Sequence, residues 1–166
     1  FIGLKGGIMD QFTIVNGRKN KLLLLNCQNR DFKYIDSNFN PYKIILFDTK
    51  VEHNLSDSLY NKRVIECNEA LKIIRKKYKK YKFLVDVEEK VLYEFKNTMN
   101  EKVYNRALFV IQENKRTIKS AKKISKLNIK EFGEFMYNSH FGLKNLYEVS
   151  CKELDFLVDF TMGNKE

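Results

Sequence analysis

The sequence predicts an α+β fold, a short β-sheet segment followed by about five helices. Up to residue 48 the apolar residues come in short runs bounded by Asn, Asp and Gly, as strands do. From Asp57 they recur every three or four residues, as on one face of a helix. No internal repeat or low-complexity segment disturbs that order, and a sheet followed by helices is the α+β arrangement.

The strands come first. "NKLLLLNC" (20–27), "FKYID" (32–36) and "YKIILFD" (42–48) are short and apolar, and Asn16-Gly17 predicts a tight turn before the first of them. The first helix follows Ser56 or Asp57 as cap, with Tyr60, Val64, Cys67, Leu71, Ile74 and Tyr78 on one face. Asp86 and Glu89 read as a capping pair opening a second helix, with Val87, Val91, Leu92 and Phe95 inward. Val103, Ala107, Val110, Asn114, Thr117, Ala121 and Ile124 mark a third, and Phe132, Met136, His140 and Leu143 a fourth. Ser150 and Glu153 form an S-x-x-E box ahead of Leu154, Leu157 and Val158. The change of period near residue 56 divides the chain into 1–56 and 57–166, a candidate domain boundary.

Composition narrows the function classes. The 166 residues suffice for one compact domain with a core. At 43% hydrophobic and one proline, bulk disorder is excluded. No apolar run approaches membrane-spanning length, so no membrane partner is expected; "LLLL" (22–25) and "IILF" (44–47) suit buried strands. Lys5 is followed by glycines and Asp10, not by the apolar core of a signal peptide. Cys27, Cys67 and Cys151 are scattered, which fits free thiols in a reducing cytoplasm. With two histidines and no C-x-x-C, a zinc site is not expected. The net charge is +10, which would suit a nucleic-acid binder. Lys, Asn, Ile and Tyr are abundant together, however, a bias that an AT-rich genome imposes on any protein. The chain starts at Phe1 inside a strand-like run and stops just past a helix, so it is expected to be a fragment.

Three stretches carry a resemblance. They are "FIGLKGGIMDQF" (1–12), "DTKVEHNLSDSLYNKRVIECNEA" (48–70) and "NSHFGLKNLYEVSCKELDFLV" (138–158). In order and spacing they resemble galactokinase, of the superfamily that includes homoserine, mevalonate and phosphomevalonate kinases. The resemblance implies part of a two-domain galactokinase-like fold, with 1–56 ending the N-terminal kinase domain and 57–166 leading into the C-terminal one. It also implies ATP-dependent phosphorylation of galactose at its anomeric hydroxyl, with ATP and Mg2+ as cofactors of the intact enzyme.

The same resemblance assigns residues. In galactokinases the aspartate of G-I-M-D-Q faces the anomeric hydroxyl and is described as accepting its proton; here that is Asp10. Gly7 stands in the same motif, where a glycine permits close approach of substrate. A helix starting near Ile8 would place Asp10 in its first turn, where the dipole favours a carboxylate. The plain alternative is an aspartate that only caps. Tyr60 matches the sugar-contacting tyrosine of S-x-Y-N-x-R, and it can also simply begin an apolar stripe. Arg63 of that motif reads as an exposed or salt-bridged helix arginine, and His140 as a packing histidine.

Several positions depart from the family pattern. Glu52 stands where many relatives carry Lys or Arg, and beside ATP phosphates it would repel them. Val64 replaces the second of two paired arginines, Gly6 replaces a cysteine before G-I-M-D-Q, and Gly142 replaces a serine after S-H. The family's glycine- and serine-rich phosphate loop and its arginine–glutamate–aspartate sugar motif are absent from the sequence. The 166 residues alone are therefore expected to be inactive and to bind neither ATP nor Mg2+, with an apolar edge near "LLLL" that favours self-association. Two alternatives stay open. One is a basic nucleic-acid-binding module, for which "KIIRKKYKKYKF" (72–83) interleaves cations and tyrosines. The other is a non-catalytic regulator of galactokinase type.

Overall fold

The computed structural model describes residues 6–36, 39–51 and 59–163, the side chains of Leu59 and Tyr60 excepted. They form α1 (Met9–Asn16), β1 (Lys21–Leu25), β2 (Phe32–Asp36), α2 (Leu59–Lys77), α3 (Glu89–Tyr93), α4 (Glu101–Ile124), α5 (Ile129–Gly142) and α6 (Lys152–Gly163). A 3-10 turn occupies Leu84–Asp86 and a π-helical turn Leu143–Tyr147. The α+β class is as the sequence predicts, with one more helix, α1, ahead of the strands. The proposed cap of α2 at Ser56 or Asp57 lies outside the described residues.

The hairpin forms where expected. β1 and β2 pair antiparallel, Lys21 opposite Asp36 and Leu25 opposite Phe32. Backbone bonds from Arg30 to Asn26 and from Asn26 to Asp31, both 2.8 Å, close the loop. Asn16-Gly17 makes no hairpin turn. Gly17 ends α1 instead, its N–H donating to the Thr13 carbonyl at 2.8 Å. A Cβ there would sit 2.8 Å from that same oxygen, so the position needs glycine.

The third expected strand, 42–48, is not one. Ile44, Ile45, Leu46 and Phe47 are 72, 69, 92 and 63% exposed. Apolar, β-prone residues make a strand only beside a partner backbone. Among the described residues β1 and β2 pair only with each other. "LLLL" is half-buried on β1, so the exposed apolar segment is 44–47 rather than 22–25.

The core gathers around α4. Ala70 and Ile74 of α2, Val91 and Leu92 of α3, and Val103, Tyr104, Ala107 and Ile111 of α4 are buried together with Tyr81, Leu84, Val87, Phe95 and Met99. Each large apolar side chain of that kind contributes about 1.5–3 kcal/mol when fully buried. Asn100 caps α4 by accepting from Lys102 N at 3.0 Å, and Asn128 caps α5 by accepting from Glu131 N at 3.2 Å.

Both sequence-read capping pairs resolve differently. Asp86 accepts from Phe83 N at 3.0 Å and so closes the 3-10 turn, while α3 starts only at Glu89. Ser150 Oγ donates to Asp155 Oδ1 at 2.7 Å, two residues beyond the expected partner Glu153. Met136, expected inside, is exposed, and of α5 only Gly142 is fully buried. Among the described residues no helix is long and apolar enough to cross a membrane.

Candidate active site

Asp10 lies in the first turn of α1, as the motif reading requires. The turn begins at Ile8, whose carbonyl accepts from Phe12 N at 2.9 Å. Ile8 offers no side-chain cap, so the terminal N–H groups of α1 face outward around Asp10 and Gly7, both exposed. Among the described residues, no hydrogen bond or ion pair holds the Asp10 carboxylate. The helix is fastened at the opposite end. Phe12 meets Phe32 edge-on with ring centroids 5.3 Å apart, and Tyr34 Oη donates to the Asn16 carbonyl at 2.6 Å. The hairpin thus supports α1 from one side, and among the described residues nothing bonds the Asp10 carboxylate at its N-terminus.

Tyr60 lies by its backbone in the first turn of α2. Its side chain is outside the described residues, as are Glu52 and His53. Arg63, one turn on, is 4% exposed. It is salt-bridged, as one reading of it held, but buried rather than on the surface. Its Nη1 donates to Glu66 Oε2 at 2.9 Å, Nε to the Tyr147 carbonyl at 2.5 Å and Nη2 to the Glu148 carbonyl at 3.0 Å. Each of its three nitrogens makes at least one bond, which anchors the side chain in the interior.

A second buried arginine completes the cluster. Arg106 on α4 is 1% exposed. Its Nε donates to Glu66 Oε2 at 3.1 Å, its Nη2 to Glu148 Oε2 at 2.6 Å and its Nη1 to the Leu146 carbonyl. The Arg106 guanidinium holds the Glu148 carboxyl below its ordinary range. Buried Glu66 and half-exposed Glu148 balance the two arginines in charge, which makes burial of the guanidiniums tolerable. Sequence reading missed Arg106 and Glu66. The signal was there: Arg106 falls inside the Val103–Ala107–Val110 stripe, and Glu66 one turn before Ala70.

The "SHFGLKNLYEVSC" stretch wraps this cluster. His140 is half-buried with Nε2 3.1 Å from Asp155 Oδ1. Ser150 and Lys144, the latter 3.0 Å away, hold the Asp155 carboxyl low. Ser139 Oγ donates to Glu113 Oε1 at 2.6 Å. Cys67 Sγ lies 3.8 Å from the Tyr147 hydroxyl, and burial pushes its thiol up. Cys151 is half-buried just before α6. A shallow concavity of about 410 Å³ opens between Phe47–Thr49 and α6, and one of about 520 Å³ flanks the basic side of α2. Neither is lined by Asp10.

Comparison with known proteins gives these residues a context. No protein-family model matches the chain. Clostridium tetani galactokinase is 41% identical over 159 residues, 95% of this chain and 40% of that protein. Thermotoga maritima galactokinase is 36% identical over 165 residues, 99% of this chain and 45% of that protein. The crystal structure of Lactococcus lactis galactokinase complexed with galactose superposes with a TM-score of 0.90 at 29% identity, over 98% of this chain and 42% of that one. The chain thus spans less than half the length of the relatives it matches. By sequence and by fold, nearly all of this chain corresponds to a galactokinase segment.

Proposed function

We propose that this segment serves a galactokinase-type sugar kinase, which transfers a phosphoryl group from ATP, with Mg2+, to the anomeric hydroxyl of galactose. Asp10 accepts the hydroxyl proton, Gly7 lets the sugar approach, and Tyr60 contacts it from α2. The observation that carries the reading is Asp10 itself. It sits in a galactokinase-like motif, exposed at a helix N-terminus, with its carboxylate unheld among the described residues. A carboxylate there is a weak base. Phosphoryl transfer through a loose transition state asks mainly for orientation and charge, which a fixed helix terminus supplies.

In this proposal the described residues are not the ones that hold ATP and the metal. Among them no three His, Cys, Asp or Glu side chains gather as metal ligands. The glycines at 6, 7, 17, 133, 142 and 163 make no phosphate loop. In this proposal other parts of the kinase hold ATP and the metal, and the segment supplies the proton acceptor and one wall of the sugar site. The nucleic-acid alternative loses its stacking platform. Tyr81 is buried, and Tyr78 packs edge-on against Tyr81 and Phe95, with centroids 6.2 and 6.3 Å away. The test replaces the matching segment of Clostridium tetani galactokinase with residues 1–166 and assays ATP-dependent phosphorylation of galactose. Turnover that Tyr60→Phe weakens in KM supports the reading, and a folded but inert chimera overturns it.

A further inference from the structure

The paired arginines do more than neutralise two glutamates. Every helix ends with carbonyls that lack intrahelical partners. Where α5 and its π turn end, the Leu146, Tyr147 and Glu148 carbonyls accept from Arg106, Arg63 and Arg63 in turn. Leu143 O takes the N–H groups of Glu148 and Val149, the latter at 3.0 Å. Glu148 itself is left-handed, φ 54 and ψ 53, the place a glycine usually fills. An ordinary helix end needs only that glycine or water. Here two guanidiniums from two other helices replace them, and Glu66 Oε2 joins one guanidinium to the other. The corner at 146–148, the second turn of α4 and the first two turns of α2 are consequently fixed against one another. Tyr60 lies three residues before Arg63 on that first turn.

We propose that Arg106 is a positioning residue for sugar binding, acting through Glu66 and Arg63 to fix the turn of α2 that carries Tyr60. The proposal rests on the reading that Tyr60 contacts the sugar. Arg106 touches no substrate in this account. Its planar fork serves three directions at once, which a lysine cannot do.

The test has two arms. In the 166-residue chain, Arg106→Met should speed hydrogen exchange at residues 61–66 and 143–149 by about ten-fold, leaving residues 87–95 unchanged. In the chimera, Arg106→Lys should raise the galactose KM about ten-fold, the scale of a typical coupling, with kcat and the ATP KM within about two-fold of wild type. Tyr60→Phe in the same chimera is the control. If it leaves the galactose KM unchanged, the Tyr60 reading fails, and with it the proposal's route to the sugar, while the exchange arm still judges the coupling. If Tyr60→Phe raises KM and Arg106→Lys does not, the positioning role is overturned. A uniform rise in exchange across the helices also overturns it, since that marks general destabilisation. If Arg106→Met does not fold, Arg106→Lys supplies both arms.

Discussion

Gly142 is the departure from the galactokinase pattern that the structure explains most directly, and Gly142→Ser tests the explanation. Gly142 is buried at the end of α5 against α4. A Cβ there would lie 2.8 Å from Phe109 Cδ2 and 2.9 Å from Cε2. Carbon contacts are comfortable at about 3.5–4.0 Å, so the ring must retreat by roughly 0.7–1 Å. It has little room. Phe109 is buried, and its ring lies 4.7 Å from that of Tyr147, whose carbonyl Arg63 holds. Overpacking of this kind costs about 1–3 kcal/mol. Serine in place of glycine in a helix returns about 0.5 kcal/mol. The expected net loss is roughly 0.5–2.5 kcal/mol, about 1–10 °C in Tm for a domain of this size. Thermal and urea unfolding followed by circular dichroism would measure it. In a Phe109→Leu background the serine should cost almost nothing. Equal stability of Gly142→Ser and wild type, or the same loss in both backgrounds, would refute the packing argument.

Three further outcomes are expected. Glu66→Leu leaves two buried guanidiniums without their shared partner and should cost about 3–5 kcal/mol in urea unfolding. Glu148 has its folded pKa depressed by Arg106, so its stabilisation is present above the unfolded value and lost as pH falls through the folded one. Urea titrations across the acid range should accordingly show Glu148→Gln flattening the low-pH loss of stability; an unchanged acid limb would contradict the assignment. The exposed run Ile44–Phe47 should promote self-association of the chain. Sedimentation velocity should show Leu46→Lys lowering the associated fraction, and a concentration-independent monomer in the wild type would remove that expectation.

Legibility in the sequence followed the range of the forces involved. The first half of the α4 face was readable because a three-to-four spacing is set by helix geometry alone, and Val103 and Ala107 lie inside, although Thr117 further along is exposed. On α2 the expected stripe of Val64, Cys67, Leu71 and Tyr78 is only half-buried, and the buried positions are Arg63, Glu66, Ala70 and Ile74, because the apolar spacing alone does not reveal the charged pair that turns the helix. β1 and β2 were readable because each has a neighbour close in sequence. The run at 42–48 looked the same in composition but has no paired backbone among the described residues, and composition cannot supply one. Asp86 and Ser150 were each placed in a box with the next acidic residue at the right offset. The structure sends Asp86 back to Phe83 N and Ser150 on to Asp155, because a side chain bonds whichever group its own backbone presents. The Arg63–Glu66–Arg106–Glu148 cluster stayed hidden for a different reason. Its partners are up to 85 residues apart, and a charge on a buried stripe is decipherable only when its counter-charge is known. Asp10 was reached through motif resemblance, and nothing in its local pattern separates a proton acceptor from a helix cap.

Asp10 therefore provides the most direct test. In the chimera of residues 1–166 with Clostridium tetani galactokinase, Asp10→Asn keeps the size and polarity of the side chain and removes its ability to take a proton. Single-turnover assays with ATP, Mg2+ and galactose would measure the chemical step, with calorimetry for galactose affinity and thermal unfolding for folding. The account predicts a normal melt, galactose affinity within a few-fold of the parent and a chemical step slower by about 10²-fold or more, the scale of general-base removal. Near-parental turnover in the folded Asp10→Asn chimera would contradict it.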